Sequence, residues 1–227
     1  MEKKKVYLGG DIMSAGSNLA REKEYNAFKE AGIDADVYSP VMNKDINDKS
    51  AMTEEKNNRL AEEITVQDID RLFESDIVVM CPEQHAIGSL CEMGCLYGWK
   101  YLAGKMQSSV LHIAKQYNID LSEKDWYTPS TEAEAANIQM FIYDLGRLML
   151  GFFAVLDDKK IFAHYFDIRT NHLNEKDWRR SFSINQMLYG MILAATDDNM
   201  LHNSFEEVLP LVKDCVNNKE ESDATDE

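Results

Sequence analysis

The sequence predicts a doubly wound α/β fold, with a mostly parallel sheet flanked by helices in the flavodoxin or Rossmann manner. Two observations predict it. In the first 81 residues, short β-branched or aromatic runs alternate with helical patterns in the order strand, helix, strand, helix, strand, which is the signature of a parallel sheet. The third strand, Asp76–Cys81 (DIVVMC), is a continuous apolar run, as expected of a strand covered on both faces.

Each element has its own justification. Lys4–Gly10 (KKVYLGG) ends in two glycines, the way a buried strand passes into a ligand-facing loop. The loop Asp11–Ser17 follows, and Ser17 or Asn18 is placed to cap a helix to about Ala31, with Leu19, Tyr25 and Phe28 on its apolar stripe and Gly32 as its stop. Asp36–Pro40 reads as a short strand and Val41–Lys56 as a polar loop. A helix over Asn58–Glu74 places Leu60, Ile64, Ile69, Leu72 and Phe73 on one face. After the apolar strand, Gly88–Leu102 reads as helix, Gly104–Thr131 as mixed with a short element at Val110–Lys115, and Glu132–Leu156 as a long packing or oligomerisation helix. Lys159–Ile168 returns to strand character, and Ser181–Ala195 reads as a helix buried over most of its circumference. The expected organisation is one domain over residues 1–216, with a helical insertion at about 104–156 and an acidic disordered tail at 217–227.

Composition narrows the function. With 24 Lys+Arg against 40 Asp+Glu the net charge is −16, of which the tail supplies −4, and the remaining −12 disfavours a nucleic-acid polymer or an anionic membrane surface. No run approaches the ~20 apolar residues of a membrane span, and Asp11 cuts short any signal-peptide pattern. Cys81, Cys91, Cys95 and Cys215 form no spaced framework, so reduced thiols in a cytoplasmic protein are expected, with no metal site and no cofactor.

The most informative local feature is a lone charge. From Gln84 to Trp99 the only formal charge is Glu92, within IGSLCEMGCLYGW. A carboxylate on an apolar helix, just past a buried strand, is costly unless it is paired or used. Gly88 and Gly94 beside it leave room for a close approach. A glutamate on an exposed helix edge, or one paired with an Arg, remains open on these residues.

Taken together, the motifs resemble the nucleoside 2-deoxyribosyltransferases and the related nucleotide N-glycosidases. The resemblance rests on KVYLGG in the first strand, VQDIDRLFESDIVVM in the second helix and third strand, and the segment Gly88-Ser-Leu-Cys-Glu92-Met-Gly94. It covers Val6–Gly98 and resumes at Lys160–Leu188, where IFAHYFDIRTN and SINQML follow the family's pattern. It implies that Glu92 is the nucleophile, that Tyr7 orients it, and that Asp68 faces the nucleobase and takes part in its protonation. It further implies that Asn185 reaches a neighbouring subunit's sugar site, and hence a homo-oligomer. Gly9, Asp11, Gly88 and His85 complete the expected substrate site. Where the family often has Asp, this chain has Ala86, and His85 and Glu83 are the neighbours that could substitute.

The implied chemistry is the transfer of 2-deoxyribose between nucleobases through a glycosyl–glutamate intermediate. A carboxylate answers the oxocarbenium-like transition state and a protonated acid eases departure of the base. The substrate partners are then a nucleoside and a free nucleobase. Asp11, with no Lys or Arg before Arg21, favours an unphosphorylated nucleoside in the Asp11–Ser17 loop. Hydrolysis of a nucleoside or deoxynucleoside 5′-monophosphate is the alternative reaction, and a catalytically silent nucleotide-binding sensor is the alternative class. From the residues alone, Tyr7 as an ordinary strand tyrosine, Asp68 as a solvent-facing helix residue and Asn185 as a cap stay open.

Overall fold

The computed structural model describes residues 3–43, 53–83, 85–116, 143–147, 149–151, 154, 158–165 and 184–217. In chain order these give β1 (Lys4–Gly10), α1 (Ala15–Glu30), β2 (Ala35–Tyr38), a 3-10 turn (Pro40–Met42), α2 (Glu54–Glu74), β3 (Ile77–Cys81), α3 (Ile87–Gln116), β4 (Lys160–Ala163), α4 (Gln186–Ala195) and α5 (Phe205–Asn217). The chain divides into two compact units, Met1–Tyr97 with Lys159–Glu227, and Gly98–Asp158. The second begins inside α3 and overlaps the insertion expected at about 104–156.

In the first unit the four strands are all parallel, in the order β2-β1-β3-β4. Successive residues of a strand face opposite sides of a sheet, and β1 shows what each side does. Val6 and Leu8 join Ile77, Val79 and Phe162 in a core closed by Phe28 of α1 and by Phe205, Val208 and Val212 of α5. Tyr7 points to the other side, toward Glu92 of α3, and Tyr38 at the end of β2 reaches Asp68 of α2. Helices therefore cover both faces, and the doubly wound α/β fold is present. Strand order reverses between β1 and β3, the switch point at whose carboxyl edge open α/β sheets place their ligands.

Several element boundaries differ from the sequence reading, and hydrogen bonding explains them. Helix α1 starts at Ala15 because Ser14, not Ser17 or Asn18, is the cap, its hydroxyl accepting from the Ser17 amide at 3.0 Å. Gly32 closes that end as expected, at φ +64°, a conformation that costs glycine least. Strand β2 stops at Tyr38 because Pro40 opens a 3-10 turn. Helix α2 begins at Glu54, earlier than Asn58, because Thr53 caps it, accepting from the Lys56 amide at 3.2 Å, and Glu54 and Glu55 suit its positive end. Helix α3 runs through Gly104 and absorbs the separate element expected at Val110–Lys115. Helix α4 starts at Gln186 rather than Ser181 and is buried only along Leu188, Tyr189, Ile192 and Ala195, with Met187 76% exposed.

Helix α5 has no counterpart in the sequence reading. Its buried Phe205, Val208 and Val212 recur at helical spacing, and Pro210 is tolerated on the exposed face. Of the helix expected over Glu132–Leu156, residues 143–147, 149–151 and 154 are helical, and the rest lies outside the described residues. So do 166–168 of the expected last strand, 181–183 of the expected next helix, residues 44–52 of the expected loop and the acidic tail from 218. Among the described residues no helix is long and apolar enough to cross a membrane.

Candidate functional site

The site is assembled from four elements, β1, β2, α2 and α3, that meet on the Tyr7 face of the sheet. Tyr7 is fully buried in β1, and its hydroxyl donates to Glu92 Oε1 at 2.8 Å. Glu92 sits on the second turn of α3 between a partly exposed flank and buried Met93 and Leu96. Its Oε2 touches neither solvent nor a hydrogen-bond partner. Burial pushes the Glu92 carboxyl up to about 7; the Tyr7 hydrogen bond works against that rise and the nearby charge of Asp68 adds to it. The Tyr7 phenol is itself raised well above its ordinary value, first by burial and then by the charges of Glu92 and Asp68, so it remains a donor.

Asp68 is held in a parallel arrangement. The Tyr38 hydroxyl donates to its Oδ1 at 2.8 Å. Burial raises the Asp68 carboxyl above the usual carboxylate range, opposed by that hydrogen bond. Tyr38, pushed up to about 12 chiefly by burial, also stays protonated. The two phenol rings stand 5.6 Å apart at 31°, and the Arg71 guanidinium lies 5.6 Å from the Tyr38 ring. Two carboxyls of raised affinity for protons, each oriented by its own tyrosine, thus influence one another across the end of the sheet. Tyr38 carried no role in the sequence reading. The signal that could have found it is the parallel register itself, which sets Tyr38 beside Tyr7.

The glycines divide by cause. A Cβ on Gly9 would come within 2.4 Å of Met80 Sδ and 2.9 Å of the Tyr7 ring, so close packing requires glycine there. At Gly88 a Cβ would meet nothing within 4 Å among the described residues. That is open space on the turn before Glu92.

A second group lies where β1 and β3 end. The Asp11 side chain is buried, with Oδ1 accepting from the Met13 amide at 3.1 Å. His85, whose side chain is exposed, brings Nε2 to 3.5 Å from Asp11 Oδ2 and 3.4 Å from Glu83 Oε2. Burial alone would raise the Asp11 carboxyl, but hydrogen bonds from Ser17 and the Met13 amide, with the charge of His85, hold it below the usual range. His85 and Glu83 stand together next to buried Ala86. Asn185 does something different. Its Oδ1 accepts from the amides of Met187 and Leu188 at 3.0 and 3.2 Å, so in this chain it is the cap of α4. A shallow depression bordered by Arg59, Glu63, Val66, Asp70 and Glu74 of α2 lies on a solvated helix face and contains no shielded acid or base.

Neither a protein-family model nor a curated protein matches this chain. Among solved structures it is similar to a conserved protein from Enterococcus faecalis V583, at 17% sequence identity and a TM-score of 0.51, over 93% of this chain and 98% of that one. At that identity the likeness concerns the fold alone.

Proposed function

We propose that the protein transfers 2-deoxyribose between nucleobases by cleaving the N-glycosidic bond of a 2′-deoxynucleoside. The observation that carries this reading is the state of Glu92: one oxygen fixed by a neutral phenol, the other shielded and without a partner, next to open space at Gly88. A carboxylate so held is a nucleophile in waiting, since its orientation is set and its free lone pairs are not committed. In the first half-reaction Glu92 Oε2 attacks C1′ and the C1′–N bond breaks. Its electron pair leaves with the base, which takes a proton from Asp68. In the second, a ring nitrogen of the incoming base attacks C1′, the ester C–O bond breaks to restore the carboxylate, and the proton lost by that base returns to Asp68. Burial moves the Asp68 carboxyl upward, the direction that favours a proton donor.

Incubation of the protein with deoxyinosine and free adenine tests this. Deoxyadenosine and hypoxanthine are expected, with denaturation trapping the sugar on Glu92, and neither product from Glu92→Ala. Absence of exchange with any base pair by the folded protein overturns the reading. Free deoxyribose formed without an acceptor base would instead assign hydrolysis, and saturable ligand binding without turnover would assign a sensor. A homo-oligomer belongs to the same proposal, and light scattering that finds a monomer counts against Asn185 acting on a neighbour.

A further inference from the structure

Asp11 is the first residue beyond β1 and Glu83 the second beyond β3, so the switch point brings together two carboxylates that are far apart in sequence. One oxygen from each and the His85 Nε2 all lie within 4.8 Å of one another. The Asp11 side chain is only 4% exposed, and the oxygen turned toward His85, Oδ2, has no hydrogen-bond partner and no solvent contact. At 3.5 Å the imidazole is too distant to satisfy it. Two carboxylates are thus drawn together about one exposed imidazole, with a shielded oxygen left unsatisfied.

The spacings say what kind of charge fits. Donors bonded at about 2.0–2.2 Å to a tetrahedral ion stand about 3.4 Å apart, and His85 Nε2 lies 3.4 and 3.5 Å from its two neighbours. Carboxylate oxygens with one imidazole nitrogen suit Zn²⁺ or Mn²⁺ rather than the softer ions that select thiolates. We propose that Asp11, Glu83 and His85 form a divalent transition-metal site, with at least one coordination position left open toward the crevice between β1 and β3. None of the three residues is assigned a chemical step in glycosyl transfer, although Asp11 and His85 are among those expected to line the substrate site.

Titrating chelator-stripped full-length protein with Zn²⁺ alone, above the ordinary pKa of imidazole, tests it by calorimetry. One ion per chain is expected, with Asp11→Asn and His85→Ala each weakening affinity by at least about tenfold and Glu92→Gln leaving it unchanged. Because a buried Asp11 variant risks misfolding, a second reading uses the unmodified protein. Substoichiometric Mn²⁺ should broaden the His85 imidazole resonance ahead of those of the other four histidines. No saturable Zn²⁺ binding, binding that survives both substitutions in folded protein, or broadening spread evenly over all five histidines overturns the proposal.

Discussion

Two glutamates on opposite faces of the same sheet are pushed by burial to the same place, about 7, and yet only one resembles a catalytic group. Glu24, on α1, is gripped by Arg21 at 2.6 Å and lies 3.4 Å from His164, an imidazole that burial holds neutral with a pKa of about 3. Phe205 packs edge-on against His164 at 5.6 Å, and Arg21, Glu24, His164 and Phe205 are all buried. Glu92 has a phenol where Glu24 has a guanidinium, and its second oxygen is shielded without a partner. A cation neutralises a carboxylate and fills its lone pairs; a phenol turns it and leaves the charge in place. A raised pKa therefore does not separate a site from a structural network. The identity of the partner and the freedom of the second oxygen do.

Substitution should break this symmetry most visibly at the glutamates themselves. Glu92→Gln is expected to lower base exchange by at least about 10³-fold, read by chromatography of the bases. Glu24→Gln should leave exchange per folded molecule within a few fold, yet destabilise the chain by about 3–5 kcal/mol, because it strips a buried Arg of its counter-charge. Urea unfolding measures that loss. Asp68→Asn should cost about 10²–10⁴-fold in exchange, with much of the loss recovered on a substrate whose base leaves without a proton.

Smaller effects sharpen the contrast through pH. Both glutamates have folded pKa values raised from 4.5 to about 7. The native state therefore keeps protons that the unfolded chain releases, and the stability they contribute is full below pH 4.5 and lost as pH rises through about 7. Glu92→Gln should recover about 1–3 kcal/mol of it on the alkaline side of that window, visible in denaturant midpoints. Exchange should run the other way, rising as Glu92 ionises, with apparent values that belong to the Glu92–Asp68 pair. Tyr7→Phe removes the bond that holds the Glu92 pKa down, so the acidic limb should move to higher pH and kcat/KM fall by about 10–100-fold. Smallest of all, Asn185→Ala should cost about 0.5–2 kcal/mol of stability through the α4 cap, whereas Asn185→Ser should keep the cap.

What was legible in the sequence was whatever is local. The apolar run of β3, the two-glycine end of β1 and a lone charge among apolar neighbours each carry their meaning within a few residues, so the parallel fold could be read directly and Glu92 picked out as a candidate. Tyr38, Arg21 and His164 could not. Their roles depend on which strand lies beside which, and that register is decided by packing across the sheet. Helix α5 was readable and was not read: Phe205, Val208 and Val212 keep helical spacing, but Pro210 interrupts the impression. Asn185 looks the same in sequence whether it caps a helix or reaches a ligand, and only its two amide donors distinguish the uses. His85, Asp11 and Glu83 have no shared spacing, and the topology alone makes them neighbours.

The order β2-β1-β3-β4 also has a consequence for how the chain is made. Strand β3 ends at Cys81 and its partner β4 does not begin until Lys160, with 78 residues between. At a synthesis rate of about 5–20 residues per second, β3 waits about 4–16 s for the strand that covers its edge. Throughout that interval five consecutive apolar residues, Ile77 to Cys81, present an unpaired row of backbone groups, the geometry most prone to pairing with a stranger. Weakening β4 should accordingly show first as poor recovery of newly made protein, before any change in the molecules that finish folding.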